Sequence, residues 1–148
     1  MLSTPTKAQQ LAQRLVELEQ KASGPKTSRA FAAALAGQKL QQSLSRWIGS
    51  DGCHALFLRA REEARSDRPA LEPLYLRVRS EPYVEGVAQS IEAFGEAATA
   101  DAIESLLADM IELLGRLIGV DMATNLIERG LPEHAPVETP TKNRRREA

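Results

Sequence analysis

The sequence predicts a mainly α-helical fold, a small helical bundle, with one short β-hairpin near residues 74–85. Apolar residues recur at helical spacing over most of the chain, which is typical of amphipathic helices. Aromatic residues make up only 4% of the 148 residues, so the core must consist mainly of Leu, Ile, Val and Ala. One segment changes to a spacing of two residues, which is typical of a β-strand.

The first predicted element is an amphipathic helix that begins at Thr4 and ends before Gly24. Threonine is a good N-cap, and Pro5 suits the first helical position that follows it. Two interpretations of residues 1–26 stay open at this point. They form either an ordinary core helix with its linker or a peripheral helix that docks on a partner.

Two more helices follow. The second begins at Thr27 or Ser28 and contains Gly37 near its middle, which favours a kink or a close contact with another helix. The third covers roughly residues 52–66, and Asp51 is its predicted cap. Both helices present apolar residues on one side and polar residues on the other.

The periodicity changes between Pro69 and Pro82, and this segment contains the first strand and the turn of the predicted hairpin. Ser80 to Pro82 can turn the chain, and Tyr83 with Val84 can form a return strand. An isolated two-stranded hairpin is marginally stable, so it must lean on the helices or pair its edge with another copy. An extended loop between helices is the alternative. The alternating residues are Leu74, Leu76 and Val78 against Tyr75, Arg77 and Arg79.

The strongest helix signal follows a short helix at residues 86–94. It begins at Thr99 or Asp101, ends at Ile118, and has an apolar surface wider than one stripe. Such a helix is central to a bundle or lies at a subunit interface. The candidate core or interface residues are Leu106, Met110, Leu113, Leu114 and Leu117.

Beyond Gly119 the sequence predicts a final amphipathic turn or two that carries Met122, Leu126 and Ile127. We therefore expect one helical domain over residues 1–131. Residues 132–148 are rich in Pro, Glu, Thr, Lys and Arg, and we expect them to form a disordered basic tail.

Charge and composition exclude several classes of protein. The formal net charge is −1, so no global field attracts nucleic acid or an anionic membrane. The N-terminus lacks an apolar secretion signal, and no apolar run approaches the roughly 20 residues that cross a bilayer. We expect a soluble, cytoplasmic protein with no membrane partner. Cys53 is the only cysteine, which excludes an internal disulfide and a cysteine-based zinc site.

Three segments of residues 53–127 and the positions just after them resemble a family of small, uncharacterised bacterial proteins. They are CHALFLRAREEA, LRVRSEPYVEGV and LLADMIELLGRLIGVDMATNLIER. The family pattern has an apolar helix followed by Ile118, Gly119, Asp121 and Arg129. Where the family has a glycine-rich hairpin turn, this chain has Ser80-Glu81-Pro82. The resemblance implies a bacterial source and a helical fold, and it implies no reaction.

No residue pattern in the chain predicts a catalytic, cofactor-binding or metal site. His54 lies on the third helix and could serve a phosphotransfer domain, but bulky apolar residues follow it where a Lys and a Gly are expected. Cys53 and His54 are adjacent, so their side chains diverge by about 100° on a helix and cannot easily share a metal. We expect Cys53 to be a buried thiol.

The basic residues from 59 to 79 are all arginines, which suit binding of carboxylates or phosphates. Acidic residues are interleaved with them, and local ion pairs should consume much of this charge. The candidate anion or partner patch is Arg59, Arg61, Arg65, Arg77 and Arg79.

The sequence favours a non-enzymatic protein-interaction or regulatory domain without cofactors that self-associates, as a homodimer. Two alternatives remain at this stage. One is a phosphorelay component or other enzyme that uses His54. The other is a weak nucleic-acid binder that uses the arginine set and the C-terminal tail.

Overall fold

The computed structural model describes residues 6–24, 26–77 and 82–129 of the chain. Within them the fold is mainly α-helical, a small bundle with a two-stranded antiparallel hairpin, which confirms the predicted fold class. A short 3-10 helix, Pro69–Leu71, connects the third helix to the hairpin. The elements are α1 (Lys7–Ser23), α2 (Arg29–Ile48), α3 (Ser50–Ala64), β1 (Tyr75–Leu76), β2 (Val84–Glu85), α4 (Val87–Phe94), α5 (Glu96–Ile118) and α6 (Val120–Arg129).

Helix α5 is the centre of the bundle and contacts each of the other five helices described here. Because neighbours surround it, apolar residues on most of its circumference are buried against the same chain. The wide apolar surface of this helix is therefore explained by its central position. A subunit interface is not needed to account for it.

Helices α2 and α5 run parallel and touch closely. Near their N-terminal ends, the Ala30 N–H donates to the Glu96 carboxylate at 2.7 Å. Midway along, a Cβ on Gly37 would lie 3.3 Å from Cδ2 of Leu107. The expected close helix contact at Gly37 is confirmed. Since both helices run in the same direction, their C-terminal ends reach the same end of the bundle.

Helix α1 begins after a capping box. The Thr6 hydroxyl accepts a hydrogen bond from the Gln9 N–H, and the Gln9 side chain accepts one from the Thr6 N–H. Leu11 and Val16 are buried, and α1 packs against both α2 and α5. The predicted start at Thr4 lies outside the described residues.

The hairpin packs against the helices beside it. Tyr75 lies opposite Glu85 in the ladder, and the Arg77 N–H donates to the carbonyl oxygen of Tyr83 at 2.8 Å. The return strand is Val84–Glu85, one residue later than predicted, because Tyr83 is drawn into the core beside α3. Residues 78–81, which include most of the predicted turn, lie outside the described residues.

Three predicted helix boundaries were wrong. Helix α5 begins at Glu96 rather than at Thr99 or Asp101. The hydrogen bond from the Ala30 N–H of α2 to the Glu96 carboxylate fixes its first turn. Helix α3 begins at Ser50, so Asp51 lies in its first turn rather than at the cap. The last helix is longer than a turn or two and extends over ten residues.

Candidate protein-interaction surface

The five predicted interface residues divide between the core and the surface. Leu106, Met110, Leu113 and Leu114 are buried within the chain. Leu117, in the last turn of α5, is 69% exposed. Four of the residues therefore stabilise the fold of a single chain, and Leu117 is the member of the set that is open to a partner.

Three other large apolar side chains lie at the same end of the bundle. Trp47 is in the last turn of α2, and Val120 and Met122 are in the first turn of α6. Each is more than half exposed. The parallel helices α2 and α5 end together, and α6 starts directly after α5. Trp47, Leu117, Val120 and Met122 are therefore exposed at the same end of the bundle, and together they are termed the end face.

The end face concentrates the exposed apolar surface of the chain. The described residues include eight exposed large apolar side chains, and the end face contains half of them. A single exposed apolar residue is normal, whereas a group of them marks an interaction site. The exposed charged residues on these helix ends include two of each sign, so a second copy would meet no net repulsion. They are Arg46, Glu112, Arg116 and Asp121.

A cavity of about 320 Å³ opens beside the end face, between α1, α5 and α6. Its floor includes Ile111, Gly115 and Ala123, and Lys7 and Arg116 lie at its rim. Val120 belongs to both the cavity lining and the end face. This end of the bundle thus offers a concave apolar feature next to its protruding side chains.

His54 is partly buried on α3, and its Nδ1 lies 2.9 Å from the hydroxyl of Tyr83. Tyr83 is almost fully buried, so this contact gives its hydroxyl the partner that a buried tyrosine needs. Burial lowers the pKa of His54, while the charge of Asp51 opposes the shift. The hypothesis that His54 carries a reaction stays a prediction.

Cys53 is fully buried on α3. Burial raises the pKa of its thiol to about 12, and a hydrogen bond with Ser45 partly offsets the effect. The thiol is therefore protonated at neutral pH. A protonated thiol is a poor nucleophile, so the environment of Cys53 is that of a structural residue.

The exposed arginines of the predicted patch form local ion pairs, as expected from the interleaved acidic residues. Arg79 lies outside the described residues. Because each of these cations is neutralised by a neighbour, the patch has little free charge with which to collect an anion. The pairs are Arg59–Glu63 at 3.2 Å, Arg65–Glu72 at 3.1 Å and Arg77–Glu85 at 2.7 Å.

Arg61 differs from the other arginines because its side chain is mostly buried. Its Nη2 donates to the carbonyl oxygens of Leu71 and Glu72, each at 3.3 Å. These bonds fasten the segment around the 3-10 helix to α3. Arg61 therefore helps to position the hairpin.

A second concavity, termed the hairpin groove, has a volume of about 490 Å³ and lies between α3 and the hairpin. One wall consists of Leu58 and Arg61 from α3, and the other consists of residues 74–77 and Glu85. Leu58 and Tyr75 are both exposed. The groove is apolar, with charged side chains at its margin.

A third cavity, of about 440 Å³ between α1, α3 and α5, is polar and carries both signs of charge. Burial raises the pKa of Asp109 in its wall. Nearby Glu112 and Glu63 add to this shift, whereas Arg68 opposes it. The acidic residues here are not arranged as a metal site. Within the described residues, no group of three or more His, Cys, Asp or Glu could hold a metal ion.

No helix among residues 6–24, 26–77 and 82–129 combines the length and hydrophobicity needed to cross a membrane. Comparison of the chain with family models, with curated proteins and with solved structures gives no match. The functional interpretation therefore rests on the site geometry alone.

Sequence reasoning named Leu117 but missed the other members of the end face. Trp47 belongs to the apolar pattern of the second helix, and Met122 shares the apolar pattern of the last helix with Leu126. Leu126 is buried while Met122 is exposed. The sequence signal that could have found them is the cluster of apolar residues around Gly49 and Gly119, where helices end.

Proposed function

We propose that this chain is a non-enzymatic protein-interaction domain of regulatory type that forms a homodimer through the end face. One observation carries the proposal: Leu117 is 69% exposed at the end of a helix whose other apolar residues are largely buried. Trp47, Val120 and Met122 are also more than half exposed at this end of the bundle.

The free energy gained by burying the end face is comparable to the cost of association, which favours a dimer that can dissociate. Full burial of a large apolar side chain contributes about 1.5–3 kcal/mol. Eight half-exposed side chains across two copies therefore contribute roughly 6–12 kcal/mol. Association costs about 4–15 kcal/mol in lost freedom. The two ranges overlap, so we expect the dimer population to depend on protein concentration.

A two-fold dimer places the same surface of both copies in contact, so that surface must be complementary to itself in shape and charge. The end face meets this requirement because its charged margin carries two residues of each sign. Tryptophan and methionine are also enriched at the centres of protein interfaces. These properties support a second copy as the partner.

The environments of the two most reactive side chains, Cys53 and His54, support a non-enzymatic role. The thiol of Cys53 is buried and protonated, and Nδ1 of His54 is bonded to Tyr83. Cys53 therefore has a structural partner on α2, and His54 has one at the hairpin. A domain of this kind would regulate through the partners that it binds.

The experiment is a light-scattering measurement of solution mass on the full chain at several concentrations. We expect a dimer at high concentration, and we expect Leu117→Glu to give a monomer of unchanged helix content. A buried glutamate opposite a second copy lacks a partner, which opposes association. Leu58→Glu is the matched control, since Leu58 is an exposed leucine on α3 away from the end face, and it should leave the dimer intact.

A second readout comes from the chain itself. Trp47 is the only tryptophan and lies on the end face, so its fluorescence should shift to shorter wavelength as the dimer forms. A chain ending at Leu131 should dimerise equally well. The proposal is wrong if the full chain is monomeric at all concentrations, or if the two leucine variants weaken the dimer equally.

A further inference from the structure

The cavity between α1, α5 and α6, termed the α1–α6 cavity, has the size and the lining of a small-molecule site. Such sites begin at about 300 Å³, are mostly apolar and contain a few polar groups that orient the ligand. This cavity measures about 320 Å³, and Ile111, Val120 and Ala123 contribute apolar lining. The polar side chains around it are those of Thr6, Lys7, Glu112, Arg116 and Thr124.

Helices α1 and α6 both begin at this cavity and run side by side from it. Lys7 and Ala8 of the first turn of α1 line it together with Val120 of the first turn of α6. About two turns further along, Arg14 and Glu128 form an ion pair across the two helices at 3.4 Å. Helix α5 packs against both helices and supplies the floor. The cavity is therefore built from three packed helices rather than from loops.

Gly115 deepens the floor of the cavity. Glycine inside a helix is less stable than alanine. Packing does not require glycine here, because a Cβ at this position would lie 3.5 Å from Cγ2 of Val120, which is an ordinary van der Waals contact. Both residues line the cavity, so the missing methyl group leaves space for a ligand.

The charges of the lining leave one cation unbalanced. Glu112 and Arg116 lie one turn apart on α5 and approach to 3.9 Å, so they neutralise each other. Lys7 is exposed, and within the described residues its ammonium group has no hydrogen bond or ion pair. Asp121 lies in the first turn of α6 but does not line the cavity. The partial positive charge at the start of two helices adds to that of Lys7, which favours an anionic group at the rim.

We propose that the α1–α6 cavity binds a small amphipathic carboxylate, namely a medium-chain fatty acid or a short-chain acid with an aryl group. The apolar part of the ligand packs on Ile111, Gly115 and Val120, and its carboxylate stays at the open rim beside Lys7. A carboxylate on an apolar body suits both parts of the lining, whereas an inorganic anion would suit only the rim. Of the end face, Val120 alone lines the cavity, so the site is independent of the homodimer.

The test is an NMR titration of the full chain, and of its Leu117→Glu variant, with sodium octanoate and with sodium 3-phenylpropanoate. Two matched probes accompany octanoate: octylammonium reverses its charge, and butanoate shortens its apolar body. The variants are Lys7→Gln and Gly115→Ala. Lys21→Gln is the control, since Lys21 lies in the last turn of α1, far from the cavity.

We expect at least one of the two acids to shift resonances of residues 111, 115, 120 and 123 and to raise the melting temperature. Each methylene removed between octanoate and butanoate should weaken binding about two- to fourfold, because less apolar surface is buried. Lys7→Gln should weaken binding about threefold, and Lys21→Gln should leave it unchanged. Gly115→Ala should weaken binding and stabilise the free chain, since its methyl group occupies the floor and alanine favours the helix.

Three outcomes would overturn the proposal. One is the absence of shifts at the four cavity positions with both acids at millimolar concentration. Another is binding of octylammonium as tight as that of octanoate, which would show that the rim does not select an anion. The last is loss of binding in Leu117→Glu, which would place the site at the dimer interface instead. A monomeric chain that binds octanoate would contradict the homodimer alone, so the two proposals fail separately.

Discussion

Tyr83 is the residue that attaches the hairpin to the bundle. Its hydroxyl contacts His54, and its ring packs edge-on against Phe57 at a centroid distance of 5.4 Å. Its N–H donates to Oε1 of Gln38 on α2 at 3.0 Å. One side chain and one amide thus join the hairpin to two helices. Since an isolated hairpin is marginally stable, these contacts account for its position.

The partial burial of His54 predicts a pH dependence of stability. The pKa of His54 is lowered by burial from its ordinary value of 6.5, so the folded chain binds fewer protons than the unfolded chain as pH falls through that value. We expect the free energy of unfolding to decrease as the pH falls from neutrality through about 6.5. Urea titrations at several pH values measure it.

The matched variant for this prediction is His54→Gln. The chain has two histidines, and the variant keeps the other one, so the difference between the two proteins isolates His54. The pH slope should be smaller in the variant. Identical slopes would show that folding does not change the affinity of His54 for protons.

Gly86 is fixed by a close approach of the backbone. A Cβ at this position would lie 2.0 Å from the carbonyl oxygen of Pro73, and its φ of +91° is unfavourable for other residues. We expect Gly86→Ala to lower the free energy of unfolding by about 3 kcal/mol or more. Chemical denaturation followed by circular dichroism measures the change.

Gly95→Ala is the control for the steric part of this effect. Gly95 also has a positive φ, but a Cβ there meets no atom within 4 Å. Its substitution should cost only the backbone strain, about 1–3 kcal/mol. If Gly86→Ala cost no more than Gly95→Ala, the close approach to Pro73 would be absent in solution.

At the scale of the element, α5 contains two leucines with opposite environments. Leu114 is fully buried, and Leu117, one turn later, is exposed. We expect Leu114→Ala to destabilise the chain by about 2–5 kcal/mol, because it leaves a cavity. Leu117→Ala should change stability by less than about 0.5 kcal/mol. Thermal and urea unfolding of the monomeric protein measure the stabilities of the two variants.

The buried neighbour Leu113 provides a second check. Leu113→Ala should also destabilise the chain. If neither the Leu113 nor the Leu114 variant changed the free energy of unfolding, α5 would not be the centre of the bundle. The pair therefore tests the arrangement of the helices as well as one contact.

At the scale of the whole molecule, the local spacing of apolar residues was sufficient to predict where the helices and the hairpin lie. Helical spacing placed the helices within a few residues, and the alternation at Leu74 to Arg77 located the hairpin. Boundaries that depend on distant residues were wrong. The start of α5 is set by the bond between Glu96 and Ala30, which are 66 residues apart in the chain.

The candidate surface was harder to predict than the fold. Leu106, Leu113 and Leu117 lie on one apolar stripe of α5, and their spacing is the same whether a neighbour covers them or not. Which of them is exposed depends on where α2 and α6 end. The pairing of His54 with Tyr83 is likewise set by the packing of α3 against the hairpin, which no local pattern encodes.

The central position of α5 has a consequence for synthesis on the ribosome. Helices α1 to α4 emerge before the helix against which all of them pack, so they lack their common partner while it is being made. Translation of the 23 residues of α5 takes roughly 1–5 s at ordinary rates. During that interval the faces that α5 covers in the finished bundle are open to solvent, and the bundle is complete only after Ile118 has left the exit tunnel.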